Sequence, residues 1–308
     1  MSHITDKLHH KKWGVFNHYL YHDRDKGPGA WNQNVSALDV KDLARRLHEM
    51  NAGYYFITLM QGDRFMLAPN ATYDAIVGSK PGEACAERDL PMELADELEK
   101  YGIDLYLYYT GDGPYKDDNA GKAFGFYEPR DKIGGSEAFV SKWAAVLGEY
   151  AKRYGSKVKG YWIDGCYEGF QYTDELLDLY RDAIKAGNPE ALVSMNNGVF
   201  PECRKYYRNE DFTCGEFNDF EYIPESRFID GSQAHILAPL GKPAIPGNPW
   251  TGWCQPGLKR SKEYMAQYIR DLNRVGGVLT VDIFIDRDGH YDSEQMEAMT
   301  YIGKQIER

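Results

Sequence analysis

The chain has 308 residues, 43% of them hydrophobic and 27% charged, with a formal net charge of −11; this composition can build an apolar core and excludes a disordered chain. The length exceeds what one sandwich needs and suits a single α/β barrel, which takes about 250 residues plus insertions. No Lys/Arg cluster escapes acidic neighbours, so a nucleic-acid phosphate track is disfavoured, and no run approaches the ~20 apolar residues of a membrane span.

The opening residues, MSHITDKLHHKKWGVF, contain no apolar run of signal-peptide length, so a cytoplasmic or periplasmic protein is expected. From there the chain alternates short β-rich apolar runs with amphipathic segments. The runs are WGVFNHYL from Trp13, GYYFITLM from Gly53, IDLYLYYT from Ile103, VKGYWID from Val158, ALVSMNN from Ala191, FTCGEF from Phe212, AHILAPL from Ala234 and GVLTVDIF from Gly277. Helical patterns separate them, with capping residues expected at Asp39, Ser136, Thr173, Ser261 and Ser293. Eight strands alternating with helices predict an α/β fold, a (β/α)8 TIM barrel spanning residues 1–308 as one domain. There is no GxGxxG after the first strand and no phosphate-binding loop, which argues against a doubly wound nucleotide fold.

Five cysteines (Cys85, Cys166, Cys203, Cys214, Cys254) without CxxC spacing indicate neither a disulfide framework nor a zinc site. Aromatic residues, 24 Tyr, 6 Trp and 13 Phe, suit stacking on sugar rings and equally suit packing. Nothing specifies an oligomeric state.

In such a barrel the chemistry sits where strands end. These strands end on Asn17, His18 and His22; on Gln61, Asp63 and Arg64; on Tyr108, Tyr109 and Asp112; on Asp164 and Glu168; on Asn196 and Asn197; on Glu216 and Asp219; and on Asp282 and Asp286. Paired carboxylates beside a sugar-sized cavity are the machinery of glycoside hydrolysis. Asp164, at a strand end and followed by Gly165, is the candidate nucleophile. Glu216 is the candidate acid/base, with Glu168 and Glu221 as rivals.

KKWGVFNHYLYH resembles the opening strand of the α-L-fucosidases of glycoside hydrolase family 29, with His18 on the position of a sugar-binding histidine. YWIDG is similar to the family's Trp-Phe-Asp-Gly nucleophile strand, which places Asp164 on the nucleophile, and EDFTCGEFND looks like the segment carrying a family glutamate, at Glu216. LNRVGGVLTVDIFIDRDGHYDSEQMEAMTYIG is similar to the last barrel strand and helix. The resemblance implies a retaining exo-glycosidase acting on a small-molecule carbohydrate, working through a glycosyl-aspartate intermediate without metal or other cofactor. Gln61, Asp63, Tyr108, Trp162, Asn196, Trp250 and Trp253 are the expected sugar-binding residues beside His18. Three departures stand out: MQGDRF replaces a Lys-His-His-Asp-Gly-Phe run, Asp282 stands where Asn is common, and the family's C-terminal β-sandwich has no counterpart. The lost histidine pair leaves two other readings open, a sugar-binding barrel without hydrolysis and a sugar lyase on the same scaffold.

Overall fold

The structure is a computed structural model that describes residues 3–22, 26–129 and 134–306. Its centre is a curled, seven-stranded parallel sheet. In chain order the strands are β1 (Trp13–Asn17), β2 (Tyr54–Thr58), β3 (Asp104–Thr110), β4 (Val158–Asp164) and β5 (Leu192–Met195); after a two-residue hairpin of β6 (Phe228–Ile229) and β7 (Ser232–Gln233) come β8 (His235–Pro239) and β9 (Val278–Asp282). The sheet order is β5-β4-β3-β2-β1-β9-β8. All of its neighbouring strands run parallel. Helices join the strands from β1 to β5 and again β8 to β9, and cover the outer face, while β5 is followed by β8 without an intervening α-helix among the described residues.

The sixth predicted strand is a correction. FTCGEF forms no regular strand, only isolated parallel bridges, Phe212 to Gln233 and Glu216 to Leu237. Gly215 explains the break: its φ of +57° is left-handed, outside the extended region that a strand needs. The segment still lies between the two sheet edges. The Asp211 N–H donates to the Val193 carbonyl at 2.8 Å, and the Phe217 N–H to the Leu237 carbonyl at 2.9 Å.

The sheet sorts its residues into two layers by strict alternation. Phe16, Tyr54, Phe56, Tyr106, Tyr108, Trp162, Phe212 and Leu237 form a compact inner cluster. Val15, Tyr55, Ile57, Leu105, Leu107 and Ile163 pack in the larger outer one, with the helices. Much of the aromatic content is therefore core, with Phe56 stacked on Tyr106 at 4.8 Å, and does not itself signal a carbohydrate site.

The six predicted helices form. Asp39, Ser136, Thr173 and Ser261 cap theirs through side-chain bonds to backbone N–H groups. The last helix, Ser293–Gln305, is capped instead by Asp292, which accepts from the Gln295 N–H. Among the described residues, four further α-helices went unpredicted: Asp6–Lys11, Gly27–Ala37, Ala71–Val77 and Asp118–Phe124. Among the described residues no helix is long and apolar enough to cross a membrane.

Candidate active site

The inner aromatic cluster ends, at the C-terminal edge of the sheet, in three rings from β1, β3 and β4. Tyr108 stacks between Phe16 and Trp162 with centroid distances of 5.6 and 5.5 Å. Together they line a cavity of about 260 Å³, which His18, Gln61, Asp164, Tyr167, Glu216, Leu237, Trp253 and Cys254 complete. Pockets for drug-sized ligands run to about 300–1,000 Å³; this one is nearer the scale of a single sugar ring.

Asp164 is the last residue of β4, and Gly165 behind it adopts φ +70°, turning the chain so abruptly that a Cβ there would lie 3.1 Å from the Asp112 carboxyl carbon. Both Asp164 oxygens are met by donors: the Tyr108 hydroxyl at 2.6 Å on Oδ2 and Asn196 Nδ2 at 2.7 Å on Oδ1. The same Asn196 nitrogen donates to Glu216 Oε2 at 2.6 Å. The two contacts from one nitrogen hold these carboxylate oxygens within about 5 Å of each other. Asn196 is itself fixed, by its N–H to the Ile163 carbonyl at 2.7 Å and by Gly198 N–H to its Oδ1 at 3.0 Å.

Electrostatics sets Glu216 apart from an ordinary carboxylate. Burial, reinforced by the charge of Asp164, pushes the Glu216 carboxyl up to about 7, against the opposing pull of the Asn196 hydrogen bond and nearby His18. Burial and the Asp164 charge also raise the Tyr108 phenol well above its ordinary value, so it stays a hydrogen-bond donor. A carboxyl that holds its proton near neutrality beside a second carboxylate can perform acid/base work on a glycosidic bond.

Elsewhere on the cavity wall, against Phe16 at 4.2 Å, His18 pairs through Nδ1 with Asp282 Oδ1 at 2.8 Å. Burial opposes a charge on His18, but Cys254 and Asp282 outweigh it and hold the imidazole proton well above the usual histidine range. The Asp282 Oδ2 accepts the Cys254 backbone N–H at 3.0 Å. Trp253 meets the His18 ring edge-on at 5.7 Å and donates its Nε1–H to Asn218 Oδ1 at 3.1 Å.

Among the residues expected from sequence, His18, Gln61, Tyr108, Trp162, Asp164, Glu216 and Trp253 line the cavity, and Asn196 joins its two acids from behind. Asp63 and Trp250 do not line it. Asp63 is buried, accepts the Arg64 N–H at 2.7 Å and lies 3.4 Å from His22 Nε2, while Trp250 stands 60% exposed on a turn. The rival acids are also elsewhere: Glu168 is exposed, and Glu221 pairs with Arg260 at 2.6 Å. Sequence reasoning missed Tyr167 and Cys254 as wall residues and Asp282 as the partner of His18. The only hint was their position, each at or just beyond a strand end or beside Trp253.

Comparison with solved structures follows the same lines. An endo-fucoidan hydrolase of glycoside hydrolase family 107 superposes with a TM-score of 0.67 at 15% identity, over 95% of this chain and 90% of that one. The α-L-fucosidase AlfC gives 0.67 at 15% identity, over 98% and 97%. A family 29 α-L-fucosidase from Bacteroides thetaiotaomicron gives 0.63 at 17%, over 98% of this chain and 74% of that one. The chain has a fucosidase-like glycoside hydrolase fold. At these identities the likeness is one of fold, and neither a protein-family model nor a curated protein matches the sequence.

Proposed function

We propose that this chain is a retaining exo-glycosidase of α-L-fucosidase type, acting as one catalytic unit in which residues 211–217 serve as the distorted sixth strand of an eight-stranded barrel. Asp164 attacks the anomeric carbon while the Glu216 O–H gives its proton to the departing glycosidic oxygen, and a glycosyl ester of Asp164 results. Water then attacks the same carbon. Glu216, now a carboxylate, takes the water's proton, and the ester bond breaks to restore Asp164. Tyr108 and Asn196 orient the nucleophile, while His18, Gln61 and Trp253 face the sugar.

The observation that carries this reading is the shared Asn196 amide. Its contacts of 2.7 and 2.6 Å keep one oxygen of each acid within about 5 Å of the other, which favours the about 5–5.5 Å separation of retaining enzymes over the about 6.5–9.5 Å of inverting ones. The Bacteroides fucosidase supports it, having been trapped as a covalent intermediate with 2-fluoro-fucosyl fluoride. The small cavity, on the scale of one monosaccharide, favours removal of a terminal sugar over cleavage within a chain.

The test is a panel of nitrophenyl glycosides, α-L-fucoside first, followed by incubation with the matching 2-fluoro-glycosyl fluoride and mass analysis of the peptides. A glycosyl adduct on the peptide containing Asp164 is expected. Hydrolysis with inversion at the anomeric carbon, and no adduct, would refute the mechanism.

A further inference from the structure

Asp282 organises more than the histidine it bonds. One oxygen lies 2.8 Å from His18 Nδ1, and the other accepts the Cys254 N–H at 3.0 Å. Cys254 takes φ +58°, a left-handed backbone that costs a non-glycine residue about 1–3 kcal/mol and recurs at functional sites. The result is a convergence of one imidazole nitrogen, one sulfur and one carboxylate oxygen, all within 4.8 Å of one another. Among the described residues no other three His, Cys, Asp or Glu donors meet this way. The other four cysteines are buried away from it.

We infer that His18, Cys254 and Asp282 form a binding site for a zinc-class divalent cation, and that its occupancy excludes the sugar. Imidazole, thiolate and carboxylate are the donors such a borderline-soft ion takes, and three protein ligands with the fourth position open to a cavity is an arrangement zinc commonly adopts. Bonds of about 2.0–2.3 Å put the ligands of a tetrahedral ion roughly 3.5 Å apart, so donors that already lie within 4.8 Å of one another need only a small adjustment, the 2.8 Å His18–Asp282 pair parting slightly. The ion takes the place of the hydrogen between His18 and Asp282, and the displaced imidazole and thiol protons pass to solvent. Asp164, which lines the same cavity, adds negative charge that favours the cation. His18 and Cys254 both line the cavity of about 260 Å³, so an ion held between them, with the water that completes its shell, takes up space that the ring would need; this half of the inference rests on the proposed sugar site.

The experiment is a titration of the metal-free protein with Co2+, followed by absorption, then displacement by Zn2+. One equivalent should bind, with a near-ultraviolet thiolate-to-cobalt charge-transfer band. The band should vanish after Cys254, the one thiol lining the cavity, is alkylated in the folded wild type, and Cys254→Ser should bind at least about tenfold more weakly. Saturating Zn2+ should weaken an iminosugar ligand, measured by calorimetry, by a similar factor. Absence of the band at millimolar Co2+, or its survival after alkylation, would overturn the site. Unchanged iminosugar affinity with Zn2+ bound would overturn the exclusion. If the iminosugar fails to bind the metal-free protein, the glycosidase reading falls instead, while the cobalt spectrum still judges the metal site.

Discussion

Replacing Glu216 by Gln should remove catalysis and stabilise the fold, and the second effect is the sharper test. Burial and Asp164 raise this carboxyl from an ordinary 4.5 to about 7. Between those values the folded chain binds more protons than the unfolded one, so stability falls as pH rises from about 4.5 and the loss is complete above about 7. At about 1.4 kcal/mol per unit the ceiling is roughly 3 kcal/mol; because the cavity admits water, about 2 kcal/mol is the expected value. Gln keeps the shape and an oxygen for Asn196 Nδ2 but never ionises. Urea unfolding should therefore show Glu216→Gln more stable than wild type by about 2 kcal/mol at pH 8, with the gap closing towards pH 4.5. The same protonation requires wild-type kcat/KM to decline above pH 7, and the variant to lose about 10²–10⁴-fold on a natural glycoside, less on an aryl glycoside with a good leaving group. A variant no more stable than wild type at pH 8, or a gap independent of pH, would refute the electrostatic account of Glu216.

Asn196→Ala removes the donor shared by both acids, and with hydrogen bonds to charged groups worth about 1.5–3 kcal/mol each, kcat should fall about tenfold to hundredfold in steady-state assays. Its loss also frees Glu216 to rise further, so the alkaline limb of the pH profile should move upward, and a limb that stays or moves down contradicts this. His18→Ala should raise KM about tenfold or more with a much smaller change in kcat, the pattern of lost ground-state binding; an equal fall in both kcat and kcat/KM would give His18 a different role. Trp250→Ala, on an exposed turn off the cavity wall, should leave aryl-glycoside hydrolysis within about twofold and stability within about 0.5 kcal/mol. A large loss would place that turn in the site.

The sequence exposed most of this plan because strand ends are written locally. Short continuous apolar runs bounded by Gly or polar residues mark β1 to β5, β8 and β9; Asp164 closes one of them, and Glu216 stands near the end of FTCGEF, which reads as another. What it hid depends on contacts between distant segments. FTCGEF has a strand's composition, but Gly215 sits against the His235 carbonyl, where a Cβ would come within 1.8 Å, and no local pattern announces that. Gly27–Ala37 buries only Trp31 and Val35, too few apolar positions to show a helical period. Asn196 reads as one more polar rim residue; that its amide bridges residues from β4 and the 211–217 segment follows only from their convergence. Asp63 reads as rim too, yet its carboxylate turns to the Arg64 N–H and His22 instead.

The aromatic content illustrates how packing and chemistry share residues. A tyrosine-rich sequence suggests ring stacking on sugars, yet most of these tyrosines pack in the outer layer with the helices and a few fill the sheet's interior. Their contribution to the site is indirect: the column that begins with Tyr54 and Phe56 ends in Phe16, Tyr108 and Trp162, the dry floor of the cavity. Burial is the largest cause of the raised Glu216 carboxyl, and that floor supplies part of it. Trp162 also donates its Nε1–H to the Cys214 carbonyl at 3.0 Å, two residues before Glu216, tying the floor to the segment that carries the acid. Trp162→Ala should therefore do more than open a core cavity: by admitting water it should lower the Glu216 pKa and move the alkaline limb of kcat/KM towards more acidic pH. Trp162→Phe, which keeps the apolar face and loses only the indole hydrogen bond, should move that limb much less. If both variants left the limb where it is in wild type, burial by these rings would not be what holds the proton on Glu216.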